Sequence, residues 1–220
     1  MVNKILVTGA NRGIGLELCR QLSSRGDEVI AVCRNTSDQL QALSLCVIDG
    51  IDVSDPESID SLRVHPAIEG LDWLINNAGI LSVETLDSLD FDAIERQFRV
   101  NSMGPLRLTA ALLPVLSKGA KVGIVTSRMG SIEDNTSGSY YGYRMSKAAV
   151  NMAGMSLARD LKGRGIAVAL LHPGMVATDM TGRQGVAPET AATGLIQRMD
   201  SLELATTGSF WHAEGQRLPW

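Results

Sequence analysis

The feature that most constrains the fold is an alternation of short apolar runs with longer segments of helical periodicity. Strands are predicted over residues 4–7, 28–33, 45–48, 71–75, 122–125, 166–171 and 208–211. Helices are predicted over residues 13–25, 92–116, 141–162 and 188–199. Apolar strands separated by helices are typical of a parallel sheet covered on both faces. The sequence therefore predicts an α/β fold: one Rossmann-type, doubly wound parallel sheet of seven strands, helices on both faces, as a single domain over residues 1–220.

Composition excludes several classes of protein. Of the 220 residues, 45% are hydrophobic and 20% are charged, which indicates a compact fold rather than disorder. The net charge is −4 and no Lys/Arg block stands out, so we expect neither a nucleic-acid partner nor a membrane surface. The first apolar run is too short for a signal peptide, and none of the others is long enough to span a membrane.

The cysteines and histidines predict neither disulfides nor a metal site. Cys19, Cys33 and Cys46 are odd in number and lack CxxC spacing. We expect three buried, reduced thiols in a cytoplasmic protein. The three histidines lie far apart in the sequence and form no ligand-spaced motif.

A glycine-rich turn, Thr-Gly-Ala-Asn-Arg-Gly-Ile-Gly at residues 8–15, follows the first strand and opens the first helix. Glycines at such a turn let the backbone approach a pyrophosphate, and the helix N-terminus offers N–H groups to it. The spacing differs from the general Gly-x-Gly-x-x-Gly fingerprint, and the alternative is a turn without a ligand. Its position favours a dinucleotide site. The residues expected to bind are Gly9, Asn11, Arg12, Gly13, Ile14 and Gly15.

The end of the second strand indicates which dinucleotide binds. NAD enzymes usually carry an acid there for the ribose hydroxyls, whereas this chain has Cys33-Arg34-Asn35. Arg34, with Arg12 from the glycine turn, can pair with a 2′-phosphate. The alternative is a pair of solvated surface arginines. The missing acid together with both arginines favours NADP(H).

Tyr143 and Lys147 are candidates for proton transfer. Residues four apart share one helix face, so we expect the Lys147 ammonium to lower the Tyr143 pKa from its free value of ~10. A phenol tuned in this way can act as an acid or base near neutral pH. Tyr140 and Tyr141 lie close by, but neither has a lysine four residues later.

Together these motifs resemble the short-chain dehydrogenase/reductase family almost from end to end. The resemblance implies an NAD(P)-binding domain with a glycine motif at residues 8–15, an adenine-contacting pair after strand three, a second motif after strand four, a catalytic tetrad, and a stretch against the nicotinamide. Beyond the glycine motif, the matching residues are Asp52, Val53, Asn77, Ala78, Gly79, Asn101, Ser127, Tyr143, Lys147, Pro173, Gly174, Val176 and Thr178.

The resemblance also implies a role for each tetrad residue. Ser127 polarises the carbonyl oxygen, and Tyr143 protonates it as hydride arrives. Lys147 binds the nicotinamide ribose and tunes Tyr143, and Asn101 holds a water that links Lys147 to solvent. Taken alone, Ser127 could merely cap a turn, and Asn101 could be a helix-interior residue bonded to backbone.

Two segments depart from the family pattern. Fifteen residues separate Ser127 from Tyr143, more than in many relatives, and only 29 separate Thr178 from Gly208, where relatives commonly carry a longer lid. A short lid predicts an open pocket. The compact C-terminal end resembles the branch of C-factor and sniffer-like carbonyl reductases.

The favoured function is that of an NADP-dependent oxidoreductase acting on a small carbonyl or alcohol. The alternative is an NADP-binding signalling protein with little turnover, and an epimerase or dehydratase ranks third. Candidates for the substrate pocket wall are Ile80, Leu81, Tyr140, Met175 and Met180. A homo-oligomer through the two long helices is left open, since the small residues Ala148, Ala149, Ala153 and Gly154 suit either close approach between chains or packing within one.

Overall fold

A computed structural model describes residues 2–220 and contains one seven-stranded sheet. The strands are β1 (Lys4–Thr8), β2 (Glu28–Val32), β3 (Cys46–Ile48), β4 (Leu71–Asn76), β5 (Leu116–Val125), β6 (Ala167–His172) and β7 (Ser209–His212). Every neighbouring pair is parallel, and the order is β3-β2-β1-β4-β5-β6-β7. The predicted doubly wound parallel sheet is confirmed.

Seven α-helices connect these strands. They are α1 (Gly13–Ser24), α2 (Asp38–Gln41), α3 (Pro56–Arg63), α4 (Phe91–Phe98), α5 (Gly104–Leu112), α6 (Tyr141–Lys162) and α7 (Pro188–Asp200). The sequence analysis missed α2 and α3. In α3 the Asp55 side chain accepts from the Glu57 N–H and proline opens the helix, a capping signature that could have revealed it.

The predicted helix over 92–116 is not one regular helix. A π-helical segment, Arg99–Met103, separates α4 from α5, and a 3-10 turn, Leu113–Val115, ends the run. β5 then begins at Leu116, six residues before the predicted start at residue 122. Its first residues are largely polar, so an apolar pattern does not reveal this part of the strand.

Two apolar layers hold the sheet between helices. On one face, strand residues such as Val7 and Ala169 pack against α1 and α7. On the other, residues such as Leu6 and Val122 pack against α3, α5 and α6. Gly154 of α6 belongs to this second layer, because a Cβ there would lie 3.0 Å from the Leu170 side chain. It is therefore a packing residue within the chain rather than part of an outer face.

One prediction about the cysteines is wrong. Cys19 and Cys33 are buried, but Cys46 is exposed, because it opens β3 at the edge of the sheet. In the described residues, no helix is long and apolar enough to cross a membrane.

The strand order reverses between β1 and β4. These two central strands run in parallel, so their carboxyl ends lie side by side, and the loops that follow them meet. In open α/β sheets, ligands bind at such a switch point. The fold thus brings the glycine turn after β1 together with residues 77–80 after β4.

Candidate functional site

The glycine turn packs closely against the loop that follows β4. Gly9 has a φ of +65°, and a Cβ there would lie 2.9 Å from the Ala78 Cα. A Cβ on Gly15 would collide with the Gly9 carbonyl oxygen. Within residues 2–220, no side chain caps the N-terminus of α1, which leaves its first N–H groups to an external acceptor.

Hydrogen bonds from Thr8 and Asn77 join the two loops. The Thr8 hydroxyl oxygen accepts from the backbone N–H groups of Asn77 and Ala78, at 3.0 and 3.1 Å. The Asn77 amide donates to the carbonyl oxygens of Thr8 and Gly9, at 2.9 and 3.3 Å. Asn77 thus fixes the two walls of the site relative to each other.

A cleft of about 780 Å³ opens between these loops. Most of the sequence-predicted residues line it: Gly9, Asn11, Arg12, Gly13, Ile14, Gly15, Arg34, Asp52, Val53, Asn77, Ala78, Gly79, Tyr143, Lys147, Pro173 and Thr178. Four others lie outside the lining: Asn101, Ser127, Gly174 and Val176. Sequence reasoning missed Gln39, Thr126, Asp179, Arg183 and Glu189, which also line it.

The predicted phosphate-binding arginines both line the cleft beside carboxylates. Arg34 Nη1 lies 3.8 Å from Asp52, and Arg12 Nη1 lies 3.4 Å from Asp179. Both guanidinium side chains are well exposed, at 62% and 72%. Burial favours a higher Asp52 pKa, but hydrogen bonds from Ser54 and the charge of Arg34 outweigh it and lower that pKa. The arginines are therefore anchored at the cleft mouth without being buried.

Asn101 lies in the π-helical segment and is almost fully buried. Its Oδ1 accepts from the Ile80 N–H, and its Nδ2 donates to the Ile80 carbonyl oxygen, both at 2.9 Å. Nδ2 also donates to the Ser146 hydroxyl at 3.0 Å. The side chain therefore fixes the loop after β4 to α6. The expected water between Asn101 and Lys147 stays a prediction.

Ser127 follows β5 and begins a 3-10 turn, Arg128–Gly130. Its hydroxyl oxygen accepts from the Met129 N–H at 3.1 Å, so the residue does cap a turn. The same side chain lies close enough to the Tyr143 phenol to lower the phenol pKa. Ser127 therefore caps a turn and also neighbours Tyr143.

The expected effect of Lys147 on Tyr143 is not observed. Burial raises the Tyr143 pKa to about 12, against a smaller opposing effect from the hydrogen bond with Ser127. Burial likewise lowers the Lys147 pKa to about 8. The ammonium lies over the Tyr143 ring face, 5.6 Å from its centroid, and donates to the Val125 carbonyl at 3.1 Å. Desolvation of the phenol thus sets the direction of its pKa shift.

Only some of the residues predicted to form the substrate pocket wall line the cleft. Ile80 and Met180 line the cleft, whereas Leu81, Tyr140 and Met175 do not. The short segment after Thr178 folds back on the strand end, since the Val186 N–H donates to the Met175 carbonyl and the Ala177 N–H donates to the Val186 carbonyl. Met175 consequently points outward and is 55% exposed.

Comparison with known proteins agrees with this arrangement. A family model described as short chain dehydrogenase matches residues 3–188. A 1-hydroxy-2-glutathionyl-2-methyl-3-butene dehydrogenase of Rhodococcus sp. strain AD45 is 46% identical, with all of both chains covered. The C-signal protein of Myxococcus xanthus is 44% identical over 68% of this chain and 93% of its own length.

Solved structures of the same shape include carbonyl reductases. The NADPH-bound carbonyl reductase from chicken fatty liver has a TM-score of 0.91 and 32% identity, covering 100% of this chain and 99% of that one. The carbonyl reductase Sniffer of D. melanogaster has a TM-score of 0.92 and 29% identity, covering both chains fully. The predicted family and branch are confirmed, and the cofactor named for the chicken enzyme agrees with the NADP(H) predicted here.

Proposed function

The chain belongs to the short-chain dehydrogenase family of oxidoreductases, and from this premise we propose that it is a cytoplasmic, single-domain NADP-dependent carbonyl reductase, with Tyr143 as proton donor. The observation that carries the proposal is the buried group formed by Tyr143, Ser127 and Lys147, in which the Lys147 ammonium lies over the phenol ring. A phenol whose pKa is raised to about 12 is protonated at neutral pH. It is therefore in the form that donates a proton, as carbonyl reduction requires.

The residues of the cleft fit an NADP dinucleotide. The glycine turn leaves no room for a Cβ at Gly15, and the adjoining N-terminus of α1 suits a pyrophosphate. Arg34 and Arg12 would hold the 2′-phosphate, and Asp52 with Val53 would contact the adenine. The stretch from Pro173 to Thr178 would lie against the nicotinamide. When bound, the reduced cofactor supplies the hydride.

The chain's own groups handle the proton. Ser127 donates a hydrogen bond to the substrate carbonyl oxygen and stabilises the charge that develops there. Tyr143 donates its proton to that oxygen as an alkoxide would otherwise form. Lys147 would hold the nicotinamide ribose. Asn101 keeps the Ile80 backbone and α6 together, so both walls of the reaction site stay aligned.

The decisive test of the catalytic assignment is Tyr143→Phe. The change removes one hydroxyl and keeps the ring, so turnover should fall by ~10²–10⁴-fold while NADPH affinity changes little. A panel of aldehydes, ketones and quinones, followed at the nicotinamide absorbance, supplies the substrate. Tyr140→Phe and Tyr141→Phe are matched controls and should keep turnover. Full activity in Tyr143→Phe would contradict the assignment of Tyr143 as the proton donor.

Cofactor preference has a separate test in Arg34→Asp. A charge-assisted contact contributes about 1.5–3 kcal/mol, and giving up the exposed pair with Asp52 costs up to about 1 kcal/mol. The net of about 0.5–3 kcal/mol includes the 1.4 kcal/mol that corresponds to tenfold, so NADPH affinity should fall by roughly that factor and NADH affinity should not. Calorimetric titration with both cofactors measures this. Equal affinities of the unaltered protein for both would contradict the proposal.

Two relatives justify extending the substrate panel. The Rhodococcus dehydrogenase is named for an alcohol that carries a glutathionyl group, so glutathione-conjugated alcohols with NADP⁺ belong in the panel as the oxidative arm. The M. xanthus relative is named C-signal, which supports a signalling protein as the second candidate. Binding of NADPH without turnover of any compound in either direction would favour that second function.

A further inference from the structure

The helix that carries Tyr143 and Lys147 begins in an unusual way. Ser139 and Tyr140, which precede it, have φ values of +53° and +55°, and within residues 2–220 the Tyr140 side chain caps nothing. Non-glycine residues rarely adopt this left-handed conformation unless the surroundings hold them in it. Some other group must therefore satisfy and fix the first turn of α6.

One such group is Glu84, from the loop between β4 and α4. Its carboxylate Oε2 accepts from the Gly142 N–H at 3.1 Å, and its backbone carbonyl accepts from the Tyr140 N–H at 2.8 Å. A carboxylate at a helix N-terminus is stabilised by the helix dipole and by the N–H groups there. Glu84 thus caps the N-terminus of α6 from a distant part of the sequence. It accepts from two N–H groups, those of Tyr140 and Gly142, just before Tyr143.

The other carboxylate oxygen of Glu84 is also hydrogen-bonded. Its Oε1 accepts from the Ser82 hydroxyl at 2.5 Å and from the Gln97 amide at 2.9 Å. Gln97 also donates to the Ser82 hydroxyl at 2.6 Å and accepts from the Ser82 N–H at 3.1 Å. We call Ser82, Glu84, Gln97 and Gly142 the Glu84 clamp.

The clamp is buried and closely packed. Glu84 and Gln97 are 1% and 0% exposed. A Cβ on Gly142 would collide with the Gln97 amide nitrogen, so helix and amide are in direct contact. Burying a carboxylate costs several kcal/mol of desolvation free energy unless hydrogen-bond donors surround it. The three donors to the Glu84 carboxylate offset this cost.

We propose that Glu84 is a positioning residue for Tyr143. It ties α6 at the residue before the phenol to α4 and to the loop that carries the cleft-lining residues Asn77 to Gly79. The hydrogen bonds of the clamp thereby set the position of the phenol relative to Ser127 and to the cofactor cleft. This inference rests on the proposed function, because it takes Tyr143 as the proton donor.

A pair of substitutions separates this role from general stability. In Glu84→Gln, the new amide group cannot accept from Gly142 and from Gln97 at once, so two donors face each other. In the double variant Glu84→Gln with Gln97→Glu, the carboxylate moves to residue 97 and every donor again has an acceptor. The swap keeps the number of atoms and the net charge of the clamp.

The expected result is a loss followed by a rescue. Glu84→Gln should lower kcat by about 10- to 100-fold, since displacing a reacting group by an ångström costs up to about 100-fold. NADPH affinity should stay within about threefold. The double variant should recover kcat to within about threefold of the unaltered enzyme. Ser82→Ala, which removes one donor, should fold and lose several-fold in kcat. Glu95→Gln, an exposed acid of α4, is the matched control and should keep full turnover.

Amide hydrogen exchange supplies a readout independent of activity. The Gly142 N–H should exchange faster in Glu84→Gln and recover its protection in the double variant. Unaltered kcat in both Glu84→Gln and Ser82→Ala overturns the positioning role, as does a double variant that regains its thermal stability without regaining kcat. Unaltered Gly142 exchange in Glu84→Gln overturns the clamp itself. Tyr143→Phe is measured alongside, so a failure of the proton-donor assignment is seen separately.

Discussion

His172 should make the stability of the fold depend on pH. It ends β6 directly before Pro173, and its ring meets the His212 ring edge-on at 5.0 Å. Within the described chain, its buried Nδ1 has no hydrogen-bond partner. Burial, followed by the positive charges that His212, Arg128 and Lys147 can carry, lowers the His172 pKa to about 3, although Asp134 opposes this.

The sign of the effect follows from proton binding. In the unfolded chain a histidine has a pKa of about 6.5. Below that pH the histidine binds a proton in the unfolded state, whereas in the native state it does not bind one until the pH approaches 3. The free energy of unfolding therefore decreases as pH falls below 6.5, by up to about 1.4 kcal/mol per pH unit. At pH 5 the loss from this residue amounts to about 2 kcal/mol.

Urea unfolding of the unaltered protein and of His172→Leu, between pH 8 and pH 5, measures this. At pH 8 the two should have similar stability, because leucine fills the space and removes an unpaired polar atom. The free energy of unfolding of the variant minus that of the unaltered protein should be about 2 kcal/mol larger at pH 5 than at pH 8. Carboxylates titrate in both proteins, so the difference between them isolates His172. Parallel stability curves across this range would refute the reasoning.

Three further predictions concern other parts of the chain. Lys147→Ala should weaken both turnover and NADPH affinity, unlike Tyr143→Phe, as steady-state kinetics with a binding titration will show. Gly15→Ala should lower the melting temperature and weaken NADPH binding by at least about tenfold, because the added Cβ collides with the turn at Gly9. In the native protein, Cys46 should react with a disulfide reagent and Cys19 should not, since Cys19 is buried and burial raises its pKa to about 12; Cys46→Ser should remove the fast reaction.

The sequence predicted the sheet because its strands are buried on both faces and are therefore continuously apolar. The same reasoning failed where a strand contains few apolar residues, as in the polar first half of β5. It also failed within the helix before β5, since the π-helical segment around Asn101 is a single-turn irregularity inside an otherwise helical run. Cys46 was misjudged because burial at a sheet edge depends on strand order, which one strand's sequence does not contain.

Many of the residues that line the site were predictable because they follow strands, and parallel strands end at the same edge. What the sequence could not supply is how those residues affect one another. Lys147 was expected to lower the Tyr143 pKa from helical spacing, but the effect of burial depends on the whole fold. Glu84 is 59 residues from Tyr143 in sequence and in no motif, so only the structure joins it to the first turn of α6.

Irregular backbone coincides with the proposed chemistry throughout this site. Asn101 lies in a π-helical segment, Ser127 opens a 3-10 turn, and Tyr143 follows two left-handed residues. Left-handed non-glycine residues such as Ser139 and Tyr140 cost of order 1–3 kcal/mol each and persist only where the surroundings fix them. Here the fixing contacts are the pairing of Asn101 with Ile80 and the hydrogen bonds of Glu84. The regular sheet supplies stability, and these few buried polar contacts hold the reacting groups in a geometry that regular helices and strands do not provide.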